Sequence, residues 1–431
     1  MVRIRHTKPR PADIAPTSRS LDASKTLALV LSLLLVSSCH FKTPTSKLFD
    51  PAQVAFSATY DPLYDGQLYP SLILGLNQSA PGNSDFQYSL FNIQVTAPAD
   101  NSVLRIVVDS SSLNYVTILQ EILPRRGQQY TFHPSLKWKY DILRSLRRPG
   151  SVDLTFTCFI NDEEVDIKNL HLDYRSVNEC PLSLVYDGKV SDFRWLFAAY
   201  VNEDHPTIEQ ILSDVLDQGV VTRLSGYQNG SKAVREQVFA VWYYALSRGI
   251  TYSSITCTSN PSPRANVQHI RFFDEVHSTR QANCVDACVF FASILRKIGL
   301  KPVIFVEPCH AYLGYYTDKN RHDIALLETT LTSWVNFPLL ERSLEADGRL
   351  PEAQYNKISK YLSDKEKSLY EQGQLPFDKL KLAVARSLFD KASEYDRETY
   401  QANRSNFADT SSITYQQLDI ELLRKLVSPI N

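Results

Sequence analysis

The chain of 431 residues has little glycine and almost no net charge. Fourteen glycines are too few for a collagen-like or glycine-rich low-complexity chain. The formal net charge of -1, from 46 basic and 47 acidic residues, excludes the broad basic field that nucleic-acid-binding proteins usually carry. By contrast, 23 tyrosines and 20 phenylalanines favour strand-rich, well-packed structure. The length predicts two or three domains, and no nucleic acid is expected as a partner.

The N-terminal segment lacks an apolar run long enough to cross a bilayer as a helix, which takes about 20 residues. Its apolar run, 27–36, follows a basic stretch and precedes Ser37-Ser38-Cys39, the arrangement of a secretory signal. The last residues resemble a bacterial lipobox, which implies that Cys39 is lipidated and becomes the new N-terminus. Export as a membrane-anchored lipoprotein, on the periplasmic or outer-membrane face, would follow. A plain cleaved signal and an uncleaved short anchor are the alternatives.

Cysteine is too sparse for a disulfide framework. Seven cysteines occur, and no CxxC pair is matched by a second one, so a structural zinc site is not expected. An exported chain can form disulfides, and Cys158 and Cys180 could bridge within one sheet. The alternative is that both are buried as small hydrophobic residues.

The hydrophobic period changes along the chain and divides it into parts. Short segments of alternating polarity, such as 152–159, are separated by turn residues and predict a β-sandwich of immunoglobulin-like size. Helical spacing replaces this alternation after Cys180. We expect a lipoprotein-type signal peptide at 1–39, a proline-punctuated tether at 40–84 and the β-sandwich at 85–180. A domain that contains Cys284, called the thiol domain below, is expected at 181–345, and a mainly helical C-terminal region at 346–431.

The thiol domain has the pattern of an α+β fold. Amphipathic spacing predicts one helix over 231–248 and another over 284–298, each followed by a glycine that can end it. Three segments with strand character follow, at 302–306, 310–316 and 323–329.

Three residues of this domain can form a catalytic triad. Cys284 lies in the first turn of its predicted helix, where the helix dipole favours the nucleophilic thiolate. A histidine activates such a thiol, and a carboxylate orients the histidine. His310 begins a strand that can face the helix N-terminus. A hairpin centred near Lys319 would set Glu328 opposite His310, whereas Asp323 would lie about 17–20 Å along the ladder.

The order of cysteine, histidine and acid on helix, strand and adjacent strand resembles the transglutaminase-like superfamily. The segments that carry the resemblance are 281–299, 309–312 and 326–330. It covers about 190–335 and implies a papain-like or transglutaminase-like core. In that core Cys284 would be the nucleophile, His310 the general base and acid, and Glu328 the orienting carboxylate. Glu328 replaces the family's usual Asp, and Cys309 stands where Gly is commoner.

The superfamily includes cross-linking enzymes, cysteine proteases, amidases and members without activity. The resemblance therefore implies thiol-dependent acyl transfer on amide bonds of a protein or peptide substrate at the cell envelope. Such chemistry needs no metal or organic cofactor. Hydrolysis and cross-linking stay open as the outcome. The alternative function is an inactive cell-surface binding or scaffold lipoprotein with a transglutaminase-like fold.

The neighbours of Cys284 include three candidate oxyanion donors and two further cysteines. Gln268, Gln281 and Asn283 are the candidates for an oxyanion donor beside the backbone N–H of the nucleophile, and the sequence does not choose among them. Cys288 lies one helical turn after the nucleophile and is expected to be buried packing. Cys309 is expected to be a buried thiol, with a regulatory disulfide as the alternative.

Overall fold

The structure, a computed structural model, describes residues 49–51, 54–77, 90–254 and 262–430. The predicted signal peptide with Cys39 and the start of the predicted tether lie outside these residues, as does Cys257. Within the described ranges, no helix combines the length and apolar character needed to cross a membrane. Residues 51–431 form one compact unit.

The first part of this unit consists mainly of strands. In chain order it contains β1 (Phe56–Tyr60), β2 (Gln67–Leu68), α1 (Pro70–Asn77), β3 (Phe91–Thr96), β4 (Ser102–Val108), β5 (Thr117–Leu123), β6 (Gln129–Phe132), α2 (Tyr140–Ser145), β7 (Gly150–Ile160) and β8 (Glu163–Tyr174). They form two sheets with strand orders β1-β3-β6 and β2-β8-β7-β4-β5. Phe91 of β3 packs on Phe156 of β7, with ring centroids 5.4 Å apart, so apolar side chains of the two sheets meet.

Residues 54–77 differ from the expected tether. Strand β1 pairs with β3 and β2 pairs with β8, so both belong to the two sheets. Helix α1 buries Leu72 and Leu74. The tether was expected to become ordered towards its end, and Pro62 and Pro70 start a short 3-10 turn and a helix there, positions at which proline is well tolerated.

The second part mixes helices and strands. It contains β9 (Glu179–Tyr186), β10 (Lys189–Asp192), α3 (Phe197–Tyr200), α4 (Thr207–Asp217), α5 (Gly230–Arg248), β11 (Thr251–Tyr252), β12 (Ala265–His269), α6 (Phe273–Thr279), β13 (Gln281–Ala282), α7 (Cys284–Lys297), β14 (Pro302–Glu307), β15 (His310–Tyr316) and β16 (Ile324–Leu327). The C-terminal part adds α8 (Phe337–Asp347), α9 (Glu352–Ser359), α10 (Asp364–Glu371), α11 (Phe377–Glu394), α12 (Arg397–Ala402), α13 (Arg404–Ala408), β17 (Gln416–Asp419) and α14 (Ile420–Leu423). The predicted α+β class is confirmed.

A four-stranded antiparallel sheet with the order β16-β15-β14-β17 lies at the centre of the second part. Helix α7 packs against β14 and β15. Phe305 of β14 and Tyr312 of β15 stack on each other and are covered by Phe407 of α13. The C-terminal region therefore supplies both an edge strand and a cover to this sheet.

The predicted boundary near residue 180 falls inside a strand. Strand β9 begins at Glu179, and its residues Cys180 and Pro181 pair with β12 of the second part. Cys158 and Cys180 are free and buried, so they pack as small hydrophobic residues and do not bridge. Burial raises the pKa of the Cys158 thiol to about 12.

Candidate active site

A capping box fixes the N-terminus of helix α7. Cys284 is the first helical residue and is half-buried. Before it, the Asn283 side chain accepts a hydrogen bond from the Asp286 backbone N–H at 2.8 Å, and the Asp286 carboxylate accepts one from the Asn283 backbone N–H at 2.9 Å. Cys284 is thereby held at the positive end of the helix dipole.

Asp286 also ties the preceding loop to this helix end. Its carboxylate is buried and accepts hydrogen bonds from the Arg271 backbone N–H at 2.8 Å and from the Arg271 guanidinium at 2.7 Å. Burial raises the pKa of Asp286, and the hydrogen bonds from Asn283 and Arg271 oppose that rise. Neither the cap nor the pair with Arg271 was predicted from the sequence. The Asn-x-x-Asp spacing at 283–286 is a capping-box pattern that could have indicated the cap.

Replacing Asp286 with alanine should lower the free energy of unfolding by about 3 kcal/mol, because Arg271 would be left buried without its partner and the helix cap would be lost. Urea denaturation followed by circular dichroism measures this. Asp364→Ala is the matched control, since Asp364 occupies the first turn of α10 with a fully exposed side chain. Equal and small effects in both variants would contradict the structural role of Asp286.

His310 is bonded to a fixed, buried carboxylate. Its Nε2 lies 2.6 Å from Oε2 of Glu328. The other carboxylate oxygen of Glu328 accepts hydrogen bonds from the backbone N–H and the hydroxyl of Thr330, at 2.8 and 2.6 Å. The Glu328 backbone N–H donates to the carbonyl of Ala392 at 2.9 Å. With Nε2 engaged in this way, Nδ1 is the ring nitrogen left for Cys284.

The pKa values of His310 and Glu328 are shifted by their neighbours in the site. Hydrogen bonds with Cys284 and Glu328, of which the one with Cys284 has the larger effect, raise the pKa of His310 to about 10. Burial alone would raise the pKa of Glu328, but its hydrogen bonds with His310 and Thr330 and the charge of His310 hold that pKa below its ordinary value. The imidazolium form of His310 is therefore favoured at neutral pH, between a thiol and a carboxylate.

The strand register differs from the expected one. Leu313 pairs with Leu327, which places the ladder two residues away from the register that set Glu328 opposite His310. Strand β16 ends at Leu327, and Glu328 caps the 3-10 turn that follows. A shift of two residues keeps side chains on the same face of a sheet, so Glu328 still reaches His310. Asp323 lies at the far end of the hairpin, bonded through its carbonyl to Thr317.

The other two cysteines of this region differ sharply in exposure. Cys288 is buried beside the Thr329 hydroxyl, as its helical spacing predicts, and burial raises the pKa of its thiol well above the ordinary value. Cys309 is exposed, so the expectation of a buried thiol is wrong. The reason is the tight hairpin: Glu307 pairs with His310, which leaves Cys309 in the intervening turn with a φ of 63°.

Two of the three amide side chains proposed as oxyanion donors have other partners. The Asn283 amide donates to the His269 carbonyl at 3.3 Å, and the Gln268 amide donates to the same carbonyl at 2.8 Å. Gln281 is half-buried in β13, which pairs in parallel with β11. The backbone N–H groups of Cys284 and Val285, the first two of α7, have no partner within a helix, so they can act as donors that need no side chain.

Tyr252 of β11 borders the same site from the solvent side. It is 44% exposed. Burial raises its pKa, and so do the charges of Cys284 and Glu328. Its exposed ring gives this side of the molecule an apolar surface with a polar tip.

A further acid, Asp396, lies behind the triad and was not anticipated from the sequence. It is buried and follows helix α11 in the C-terminal region. In the part of the chain that the structure describes, His310, Glu328 and Asp396 have the composition of a metal site, with their ligand-type atoms within 4.8 Å of one another. The 2.6 Å between Nε2 of His310 and Oε2 of Glu328 is a hydrogen-bond length, which favours a proton between them.

No protein-family model matches the chain, and no curated protein matches it either. The class of activity therefore has to be argued from the geometry around Cys284, His310 and Glu328.

Proposed function

We propose that the protein is a thiol-dependent acyl-transfer enzyme acting on amide bonds of a protein or peptide at the cell envelope. Cys284 is the nucleophile, His310 carries the proton and Glu328 orients the imidazole. The observation that carries this proposal is the hydrogen bond of 2.6 Å between His310 and the buried carboxylate of Glu328, together with the hydrogen bond of His310 with Cys284.

The finer fold assignment belongs to the same proposal. Two observations support a transglutaminase-like core. The proposed nucleophile lies at the start of α7, and α7 packs on an antiparallel sheet. That sheet carries His310 on β15, and Glu328 follows its strand β16. An immunoglobulin-like sandwich before this core is supported by the two sheets whose apolar side chains meet at Phe91 and Phe156.

The chemistry follows from the charges in place. The Cys284 thiolate attacks the carbonyl carbon of an amide, and backbone N–H groups of the first turn of α7 stabilise the resulting oxyanion. His310 donates a proton to the leaving nitrogen as the C–N bond breaks, which leaves a thioester on Cys284. Neutral His310 then removes a proton from water or an amine, which attacks the thioester and regenerates the thiolate. Glu328 stays ionised and stabilises the imidazolium in both halves.

Labelling with an alkyne-tagged iodoacetamide at pH 7 tests this function. The protein is expected to be labelled at Cys284 within minutes, and the Cys284→Ala variant is expected to lose that label. Cys309→Ala is the matched control, because Cys309 is an exposed thiol adjacent to His310 in sequence. If Cys309 takes the label and Cys284 stays unlabelled in the folded protein, the domain is an inactive scaffold, which is the alternative function.

We also propose that the protein is exported and anchored to the membrane through lipidated Cys39. Cys39→Ser should leave an unprocessed precursor or release the protein from the membrane fraction, because a serine hydroxyl does not replace the thioether-linked lipid. Detergent partitioning and N-terminal mass spectrometry of the cell-made protein measure this, with Ser38→Ala as a control that keeps a small residue before the cysteine. Unchanged membrane association of Cys39→Ser with an intact N-terminus would rule out the anchor.

A further inference from the structure

Asp396 is brought to the triad by the C-terminal region. It follows helix α11, and α11 packs against β16, the strand that leads into Glu328. The Ala392 carbonyl, one turn earlier, accepts the backbone N–H of Glu328. Asp396 is 5% exposed and Glu328 is 0% exposed, and their carboxyl oxygens belong to a cluster within 4.8 Å that includes His310.

Among the residues that the structure describes, the titratable groups that face Asp396 provide no free positive charge to pair with a second buried carboxylate. The titratable groups that face it are Glu328, His310, Glu307, Tyr312 and Cys288. Of these groups only His310 can carry a positive charge, and its imidazolium is already paired with Glu328 at 2.6 Å. An ionised Asp396 would therefore be a buried, unpaired charge next to a like charge, which is strongly unfavourable.

The hydrogen bonds lead to the same conclusion. Oδ2 of Asp396 is buried and has no hydrogen-bond partner among the described residues. An ionised carboxylate can only accept hydrogen bonds, so it would leave this oxygen unsatisfied beside Glu328. A protonated Asp396 has an O–H group that can donate to the carboxylate of Glu328. Burial and then the negative charge of Glu328 raise the pKa of Asp396 to about 8, which agrees with this geometry.

We propose that Asp396 is a positioning residue that keeps its proton at neutral pH and donates a hydrogen bond to Glu328. This hydrogen bond completes the set of donors that hold the orienting carboxylate in place. The other donors are His310 and the two from Thr330. The role in catalysis rests on the proposed function, whereas the protonation state of Asp396 does not. The C-terminal region thereby acquires a direct part in the site.

The stability of the Asp396→Asn variant tests the protonation state without any substrate. A group whose pKa is raised in the folded protein stabilises the fold below its unfolded pKa, about 4, and loses that contribution as the pH rises through about 8. The melting temperature of the full-length parent should therefore fall relative to that of Asp396→Asn as the pH rises from 5 to 8, and the difference should level off above pH 8. Asp390→Asn, which changes an exposed acid on α11, should show no such trend.

The rate of Cys284 acylation by p-nitrophenyl acetate at pH 7 tests the positioning role. Asp396→Asn should stay within about threefold of the parent, because the amide N–H replaces the carboxyl O–H as donor, whereas Asp396→Ala should lose about tenfold or more. If the stability difference between the parent and Asp396→Asn does not change with pH, Asp396 is not protonated at neutral pH. Equal acylation rates in all three folded proteins would overturn its positioning role. A rise in melting temperature with added Zn²⁺ that Asp396→Asn abolishes would overturn the proposal in favour of a metal site.

If Cys284 is not acylated in the parent at all, the proposed function fails. The stability comparison still decides the protonation state of Asp396 in that case.

Discussion

Replacing Glu328 with glutamine is expected to slow the acylation of Cys284 by about 1,000-fold or more while the protein stays folded. Glutamine has nearly the same shape as glutamate, but its amide can present N–H to Nε2 of His310, where the carboxylate accepts a hydrogen bond. That change selects the wrong tautomer of the imidazole and removes the charge that stabilises the imidazolium. The burst of p-nitrophenolate from p-nitrophenyl acetate measures the acylation rate.

Two controls accompany this variant. Glu328→Asp keeps the charge and shortens the side chain by one methylene, so its loss should be clearly smaller than that of the glutamine variant. Near-parental circular dichroism and melting temperature should show that Glu328→Gln is folded. Equal rates for Glu328→Gln and the parent would contradict the orienting role.

Replacing His310 with alanine should reduce the same acylation rate by about 100-fold to 10,000-fold at pH 7, the usual contribution of a positioned acid or base. The imidazolium next to Cys284 would be lost, and with it the partner that favours the thiolate. His322→Ala is the matched control, because the His322 side chain is 74% exposed in the hairpin turn. A comparable rate in the folded His310→Ala variant would show that His310 takes no part in activating the thiol.

Local patterns in the sequence were enough to predict the elements that carry the site. Helix α7 starts at Cys284 and strand β15 at His310, as the spacing predicts, because a cap, a helical period and a glycine stop are all local signals. Glu328 reached its predicted partner although the register was wrong. A two-residue error changes the cross-strand neighbour but leaves the side chain on the same face.

Long-range contacts explain what the sequence did not predict. Nothing near Asp396 in the sequence marks it as a neighbour of Glu328, since the two meet only when α11 packs against β16. The pairing of β17 with β14, more than 100 residues apart, is likewise set by tertiary packing. The prediction that Cys309 is buried failed for a local reason, because the sequence pattern did not reveal the tight turn that exposes its side chain.

The pH dependence of iodoacetamide alkylation, read for each cysteine by mass spectrometry, tests whether Cys284 and His310 form a thiolate–imidazolium pair. Cys309 is exposed and lies outside the proposed pair, so it serves as an internal reference. Cys284 is expected to react at pH 6 about tenfold or more faster than Cys309, and this advantage should disappear in His310→Ala. The buried Cys288 should stay unmodified. Equal rates at Cys284 and Cys309 across the pH range, unchanged by His310→Ala, would contradict a thiolate–imidazolium pair at this site.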